Sequence, residues 1–467
     1  MADSDAPAAG QDGDLSNVLK DKLSTNDGES EITDGAKGES DVTEATELEY
    51  RDDFSVDQAH VLRQRLTESR SLKKLKFNGT PLSVIKAAVE NLDEDTSLEE
   101  LELFGVDSGG QGFSLNLSGI FRKLRSLRLA CTDIDDSFAK EVAVFLRGNN
   151  SLQELSLWSN EIGDEGAVAI AEALTTNTTL KTLNLVQNNL TSKTVVAFAD
   201  TVTVNTTLKL AELFEVDLEL EEIRALFEQD RYAHVFERIY ILWKQEFLPH
   251  LTKLLVEDRH CSEVSVDVTS SVAKDVLHEF FDAVARSKTV SMLHFYPSGN
   301  TFDALIDGLV HVVKETQTLT HIQNLMTSDG SESLVRVLNA LKSNHSITTF
   351  TMYAELLTPD IAQALSELLL VNNTLMDVGC VRVLGDYKRR LRENFTLTGL
   401  MVSWDPDDDV EGVSEMEELL KRNARVLEKA AEFVVCDGQY SDDEKDGYRE
   451  GADSLKKVFS STAYWED

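Results

Sequence analysis

One nine-residue phrase of this chain recurs 28 residues further along. Residues 152–160 read Leu-Gln-Glu-Leu-Ser-Leu-Trp-Ser-Asn, and residues 180–188 read Leu-Lys-Thr-Leu-Asn-Leu-Val-Gln-Asn. Both phrases carry the pattern Leu-x-x-Leu-x-Leu-x-x-Asn, which predicts a short strand followed by a turn, and the period leaves room for a helix. A unit of this size cannot bury its own apolar face. The pattern therefore requires stacked units that share one core.

The same spacing can be followed in both directions from this pair. Upstream, the pattern begins at Leu72, Leu98 and Leu124. Downstream, other apolar residues replace some of the leucines of the pattern. The predicted units there begin at Leu208, Phe236, Cys261, Val290, Leu319, Ile347, Leu375 and Leu397. We predict about 13 units, spaced roughly 22 to 29 residues apart. The boundaries are least regular between residues 217 and 330.

A second signature, Asn-x-Ser/Thr followed by an apolar residue, precedes several predicted strands. It occurs at Asn149, Asn177, Asn205, Asn344, Asn372 and Asn394. The signature contains the glycosylation acceptor pattern, but no signal peptide is evident. We expect a role in the turn instead, because Asn tolerates the left-handed backbone that ends a helix and Ser or Thr can bond the turning backbone.

Between the predicted strands the apolar spacing changes from two to about 3.6, which predicts helices. Asp164 is positioned to cap one of them. Residues 155–174 resemble repeats of the ribonuclease-inhibitor-like class of leucine-rich repeat proteins, and the resemblance extends over roughly residues 72–402. It implies an α/β solenoid, or horseshoe, with a parallel sheet on its concave face and helices on its convex face. It also implies function through protein–protein contacts, usually on the concave face.

Charge is concentrated at the two ends of the chain. Residues 1–53 contain 16 acidic and 4 basic residues and show no sustained period, which is typical of disorder. We predict five segments: a disordered acidic tail (1–53), an N-terminal helical cap (54–70), the repeat solenoid (71–404), a C-terminal capping helix (405–435) and a second acidic tail (436–467).

The composition limits which classes of partner and which cellular compartment we expect. The formal net charge of −38 argues against direct binding to nucleic acid or to an anionic membrane. The four cysteines have no framework spacing, and there is neither a secretory leader nor an apolar run near the length of a membrane span. We expect a monomer in the cytoplasm, with the nucleus as the alternative compartment.

The candidate binding residues lie on the predicted concave face. The position after the third apolar residue of each unit should point there, and large rings occupy it at Phe104, Trp158, Phe214, Tyr296 and Tyr353. Arg128 and Asn184 are predicted to share this face. Rigidly held aromatic residues are typical of binding hot spots. The alternative is that each ring leans on the neighbouring unit and extends the core.

Charged residues accompany the first rings. Glu102 should lie between Lys76 and Arg128 on adjacent strands, so cross-strand neutralisation is the favoured interpretation. The alternative is a basic cluster that receives an acidic partner segment or one of the acidic tails.

No catalytic, cofactor or metal site is predicted. The stretch at residues 109–112 lacks the lysine of a phosphate-binding loop, and the histidines have no metal-ligand spacing. We therefore predict a non-enzymatic scaffold or regulator that binds a protein partner. Two alternatives are a GTPase-activating protein of the Ran type, which combines such repeats with an acidic segment, and a tropomodulin-like cytoskeletal binder, because residues 419–423 resemble the final helix of that family.

Overall fold

The computed structural model of the chain describes residues 46–51, 54–68, 71–92, 96–109, 112–116, 118–296, 302–327, 331–354, 358–379, 397, 399–401 and 418–425. Within these residues the strands form two sheets, and every strand pair is parallel. Each sheet follows the order of the chain, as expected when successive units stack on one another.

The first sheet comprises β1 (Glu47–Tyr50), β2 (Lys74–Asn78), β3 (Glu100–Phe104), β4 (Ser126–Ala130), β5 (Glu154–Ser156), β6 (Thr182–Asn184), β7 (Leu210–Glu212) and β8 (Ile239–Tyr240). The second comprises β9 (Leu242–Lys244), β10 (Glu263–Asp267), β11 (Met292–Tyr296), β12 (His321–Thr327), β13 (Thr349–Ala354), β14 (Asp377–Gly379) and β15 (Gly399–Met401). A strand occurs at each predicted unit.

Helices connect most of these strands. They are α1 (Val56–Glu68), α2 (Leu82–Val89), α3 (Asp136–Gly148), α4 (Asp164–Leu174), α5 (Ser192–Val204), α6 (Leu220–Glu228), α7 (Leu248–Val256), α8 (Lys274–Arg286), α9 (Asp303–Glu315), α10 (Ser331–Leu341) and α11 (Pro359–Val371). The leucines of the repeat pattern are buried between the sheets and these helices; Leu155, Leu157 and Leu185 are examples. The predicted α/β solenoid, with strands lining the concave face and helices on the convex face, is confirmed. None of the helices in the described ranges is both long enough and apolar enough to span a membrane.

The first strand lies inside the segment predicted to be disordered. β1 pairs with β2, and Glu47 lies opposite Lys74. Leu48 on this strand is buried in the core. The predicted boundary at residue 53 is therefore too late, because two apolar residues, Leu48 and Tyr50, are too few within an acidic run to give a periodic signal. The predicted helical cap follows as α1, with Leu62 and Leu66 buried.

The two sheets meet within one unit, at residues 239–244. β8 pairs with β7, which sets Tyr240 opposite Glu212. β9 pairs with β10, which sets Leu242 opposite Ser265 and Lys244 opposite Asp267. In the repeat pattern Leu242 and Asp267 occupy equivalent positions and should lie opposite each other. The observed pairing of β9 with β10 is therefore shifted by two residues from the predicted one. Because strand side chains alternate with period two, such a shift keeps every side chain on its own face and leaves the apolar pattern unchanged.

Buried asparagines connect successive turns. Asn177 donates from Nδ2 to the carbonyl of Leu146 at 2.8 Å, and its Oδ1 accepts from the backbone N–H groups of Thr179 and Leu180 at 3.0 and 2.9 Å. The same arrangement occurs at Asn149, Asn205, Asn344 and Asn372. The predicted role in the turn is confirmed, whereas Asn394 lies outside the described residues.

The backbone at these asparagines is not left-handed. Asn149 has φ −79° and Asn205 has φ −81°, so the prediction of a left-handed conformation is wrong. The side chain serves the turn by hydrogen bonding to two units at once. Asn177 and Asn205 are buried, which leaves their amides inaccessible to a glycosylating enzyme in the folded chain.

Aspartates at the helix N-termini connect neighbouring helices. Asp136 accepts from the backbone N–H groups of Gly163 and Gly166, each at 2.8 Å. Asp164 lies in the first turn of α4 and accepts from the Thr191 N–H at 2.9 Å and from the Thr191 hydroxyl at 2.6 Å. Asp164 is therefore not the N-cap of its own helix as predicted; the cap position belongs to Gly163.

At the other end of the solenoid, residues 418–425 are helical. Asn423 is buried and donates to the carbonyl of Leu397 at 2.7 Å, while Leu419 and Leu420 pack against the core. These contacts are consistent with a cap at this end. The rest of the predicted capping helix (405–435), the second acidic tail (436–467) and residues 1–45 lie outside the described residues.

Candidate functional site

A cavity of about 1010 Å³ lies against the concave face of the first sheet. Six of the seven predicted binding residues line it: Phe104, Arg128, Trp158, Asn184, Phe214 and Tyr296. The seventh, Tyr353, lies on β13, but its side chain is outside the part of the chain that the structure describes. In the repeat pattern Leu325 and Tyr353 occupy equivalent positions and should lie opposite each other. A bulge in β12 sets Leu325 opposite Met352 instead, so the predicted row of concave-face positions loses its register there. The structure brings the residues together, and their role in binding stays a prediction.

Phe104 and Trp158 form an open aromatic pair. Their ring centroids are 6.2 Å apart and their planes differ by 16°. The small side chain of Ala130 lies on the strand between them, opposite Phe104. Both rings are half-buried. They therefore present apolar surface to the cavity.

Trp158 also borders a second, smaller cavity of about 370 Å³. Its lining includes Cys131, Asp133 and Gln187, which lie in turns that follow the strands. Trp158 thus separates two recesses at the strand–turn edge of the sheet.

Phe214 has a different environment from Trp158, although both occupy the same position of the repeat. Its ring stacks on Tyr240 at 5.6 Å and packs against Tyr296 at 4.5 Å, and only 5% of the residue is exposed. The expectation that Phe214 offers an exposed concave ring is wrong. Here the alternative interpretation holds, because rings from other units cover it and extend the core.

The charged residues beside the first rings neutralise one another. Glu102 lies 3.6 Å from the Lys76 ammonium and 3.1 Å from the Arg128 guanidinium. Arg128 also reaches Glu154 at 3.8 Å. Cross-strand neutralisation is therefore confirmed, and the predicted basic cluster is compensated within the sheet itself.

Glu212 is an acidic residue of the cavity lining with a buried carboxyl. Glu212 accepts a hydrogen bond from the Asn184 amide at 2.5 Å. Burial raises the pKa of Glu212 to about 7, and the nearby carboxyl of Glu263 contributes to the rise. Burial also raises the pKa of Glu263. The register of β9 and β10 explains why the two carboxyls are close. Because Ser265 lies opposite Leu242, Glu263 falls at the level of Tyr240, and Tyr240 lies opposite Glu212.

A third carboxyl, Glu215, lines the same cavity, and burial raises its pKa as well. Within the described residues, no lysine or arginine forms an ion pair with Glu212, Glu215 or Glu263. The sequence prediction did not single out these three glutamates. The position of Glu212 on the concave face can be read from the repeat, but its proximity to Glu263 depends on the register.

His260 is buried, and the adjacent Cys261 is half-buried. The Trp243 indole N–H donates to His260 Nε2 at 3.0 Å, and His260 Nδ1 donates to the Cys261 carbonyl at 2.9 Å. Burial lowers the pKa of His260 to about 4 and raises the pKa of Cys261 to about 12. Neither side chain is ionised near neutral pH, so the pair lacks the thiolate that nucleophilic cysteines need. In the described ranges, no group of three His, Cys, Asp or Glu residues could hold a metal ion.

One comparison with known proteins agrees with the repeat. A family model described as "Leucine Rich repeat" matches residues 148–171 and 176–199. Among solved structures, the tropomodulin C-terminal domain of Caenorhabditis elegans is 17% identical, with a TM-score of 0.28 over 38% of this chain and 93% of that chain. Leiomodin-1 Actin-Binding Site 2 is 18% identical, with a TM-score of 0.27 over 42% of this chain and 96% of that chain. No curated protein matches. The family match covers two adjacent units, and the stacked strand–helix units of the chain have the fold of a leucine-rich repeat solenoid.

Proposed function

We propose that this chain is a non-catalytic scaffold that binds a protein partner in the cavity on its concave face. The observation that supports this function best is the open pair of Phe104 and Trp158. These rings stay half-buried, whereas the ring at the equivalent position, Phe214, is covered by its neighbours. The net charge of −38 favours a protein partner over nucleic acid or an anionic membrane.

The sheet beneath the rings is held in place before any partner arrives. β4 pairs with β3 on one side and with β5 on the other, and the leucines behind it are buried. Binding to such a surface loses little conformational entropy in the scaffold. Aromatic residues on a rigid surface are the type of side chain that most often dominates the binding energy.

We also propose the ribonuclease-inhibitor-like subclass for these repeats. The support is the length of the units, since α4 and α5 are full helices of 11 and 13 residues between short strands. No described residue specifically favours the Ran-type or the cytoskeletal alternative over a general scaffold.

The test compares a variant of the rings with a matched variant of the convex face. The full chain carrying Phe104→Ala and Trp158→Ala is used beside one carrying Val144→Ala and Val204→Ala, whose side chains on α3 and α5 are 63% and 62% exposed. Both are used to capture proteins from an extract of the source cells, with mass spectrometry as the readout. We expect at least one protein to be lost by the ring variant and retained by the convex variant. Identical captured sets would contradict the proposal.

A further inference from the structure

We propose that the cavity recognises a basic segment of the partner protein and holds an arginine or lysine side chain between the Trp158 ring and the carboxyl of Glu212. This inference rests on the proposed function and specifies the chemistry of the partner. Some charged side chains of the cavity form ion pairs within the sheet, whereas others have no such partner among the described residues.

Where β2 to β5 line the cavity, cationic side chains of the sheet already form ion pairs. Lys76 and Arg128 contact Glu102, and Arg128 also contacts Glu154. An acidic partner segment would have to break these contacts before it could bind. Lys76 and Arg128 are therefore already engaged and do not offer an uncompensated positive charge to an acidic partner.

Beyond β6 the charged side chains that line the cavity are acidic and are not paired in this way. Glu212 and Glu215 line the cavity, and Glu263 lies close enough to raise the pKa of Glu212. No lysine or arginine among the described residues forms an ion pair with these carboxyls. A cation supplied from outside would remove the repulsion between Glu212 and Glu263 and replace part of the lost hydration.

The neighbours of Glu212 fix its position. The side-chain Nδ2 of Asn184 donates to Glu212, while its side-chain Oδ1 accepts from the backbone N–H of Val186 at 3.0 Å. Because both ends of the amide are engaged, Asn184 holds the carboxylate in one place, and no second hydrogen-bond donor to this carboxylate occurs among the described residues. A carboxylate held in this way is suited to a charge-assisted hydrogen bond from a guanidinium or ammonium group.

The aromatic side of the cavity suits the same ligand. Trp158 and Glu212 line one cavity, and Trp158 is open to it. Indole faces attract cations, with arginine favoured. A cationic side chain would thus find an aromatic wall and a carboxylate in a single recess. An aliphatic or acidic side chain would add no positive charge to the weak attraction that Arg128 already exerts on Glu212.

A random peptide library tests this inference even while the partner protein is unidentified. The phage-displayed library is selected at pH 8 on the immobilised full chain, after depletion on the Trp158→Ala variant. Peptides that depend on Trp158 should be enriched in arginine or lysine. If such peptides emerge without that enrichment, the inference fails while the proposed scaffold function stands. If no peptide depends on Trp158, both fail.

The selected peptide then tests Glu212 directly by fluorescence anisotropy. Glu212→Gln keeps an acceptor for Asn184 and removes the charge, and we expect it to weaken binding roughly tenfold, as the loss of one charge-assisted hydrogen bond does. Glu165→Gln removes the same charge on the opposite face of the chain, where Glu165 pairs with Lys140, and should leave the affinity within about twofold. Replacing the key arginine of the peptide with citrulline should weaken binding to the wild type. Equal losses for the two glutamine variants, or an unaffected citrulline peptide, would overturn the inference.

Discussion

Phe214 and Tyr296 pack their rings together at 4.5 Å between centroids, although two strand units of the solenoid lie between them. Tyr240 stacks on Phe214 at 5.6 Å. The aromatic residues of the concave face therefore fall into two groups. Phe214 is part of the packed interior, whereas Phe104 and Trp158 are half-buried rings that line the cavity.

This division predicts different effects of truncation on stability. Phe214→Ala removes a ring that is only 5% exposed, and we expect it to lower the free energy of unfolding by about 3–5 kcal/mol. Trp158→Ala removes a half-buried ring and should lower it by about 1–2 kcal/mol. Urea unfolding followed by circular dichroism distinguishes the two variants. An equal loss for both would mean that Phe214 is not enclosed as described.

The fold could be predicted from the sequence because its main signal is strictly local. Leu155 and Leu183 occupy the same repeat position, and both are buried in the core. Inward-facing leucines at fixed spacing determine which residues lie on each strand and which face each side chain takes. The same reasoning located the concave face and placed Phe104 and Trp158 correctly on it.

The details of the site could not be predicted because they depend on how neighbouring units align. A shift of two residues between β9 and β10 leaves the apolar alternation intact, so the sequence gives no sign that Glu263 approaches Glu212. The burial of Phe214 depends on Tyr296, which comes from a distant unit. β1 was missed because only Leu48 and Tyr50 mark its core-facing side within an acidic run.

The contact between α3 and α4 predicts a strict requirement for glycine at position 166. A Cβ at Gly166 would lie 2.7 Å from Asp136 Oδ1 and 2.8 Å from the Ala139 Cβ. Gly166→Ala should therefore lower the free energy of unfolding by about 1–3 kcal/mol, because the helices would have to separate. Gly148→Ala is the matched control, since a Cβ there meets nothing within 4 Å. Thermal melting should show a clear decrease for the first variant only, and a normal melting temperature for Gly166→Ala would contradict this packing.

Two adjacent asparagines allow a controlled test of the turn network. Asn149 donates to the Phe121 carbonyl at 2.7 Å and accepts from the N–H groups of Ser151 and Leu152 at 3.0 and 2.7 Å. Asn149→Ala removes the acceptor of the Ser151 and Leu152 N–H groups and one donor to the Phe121 carbonyl, which keeps the Ser151 hydroxyl as a partner. The substitution should lower the free energy of unfolding by about 1–3 kcal/mol. Asn150 is exposed, so Asn150→Ala should change it by no more than about 0.5 kcal/mol. Chemical unfolding of the two variants side by side is sufficient, and similar effects would show that the network contributes little.

His260 predicts a loss of stability on acidification. In the folded chain its Nε2 accepts from Trp243, and burial lowers its pKa to about 4, against an ordinary value of 6.5. Between these two values the unfolded chain binds a proton that the folded chain does not. The stabilisation by neutral His260 is therefore complete above about pH 6.5 and is lost as the pH falls towards 4, by about 3 kcal/mol in total.

Other groups titrate in the same window, so the measurement is a difference between two proteins. Glu212 has a raised pKa of about 7, and its protonation stabilises the fold on acidification, with the opposite sign. The His260→Gln variant keeps Glu212 and all other titrating groups, which cancel when its free energy of unfolding is subtracted from that of the wild type. Cys261, the other titratable group beside His260, has a pKa of about 12 and stays neutral throughout. The advantage of the wild type should be constant above pH 7 and should shrink steadily down to pH 4. A difference that does not change with pH would mean that His260 is accessible to protons in the folded chain.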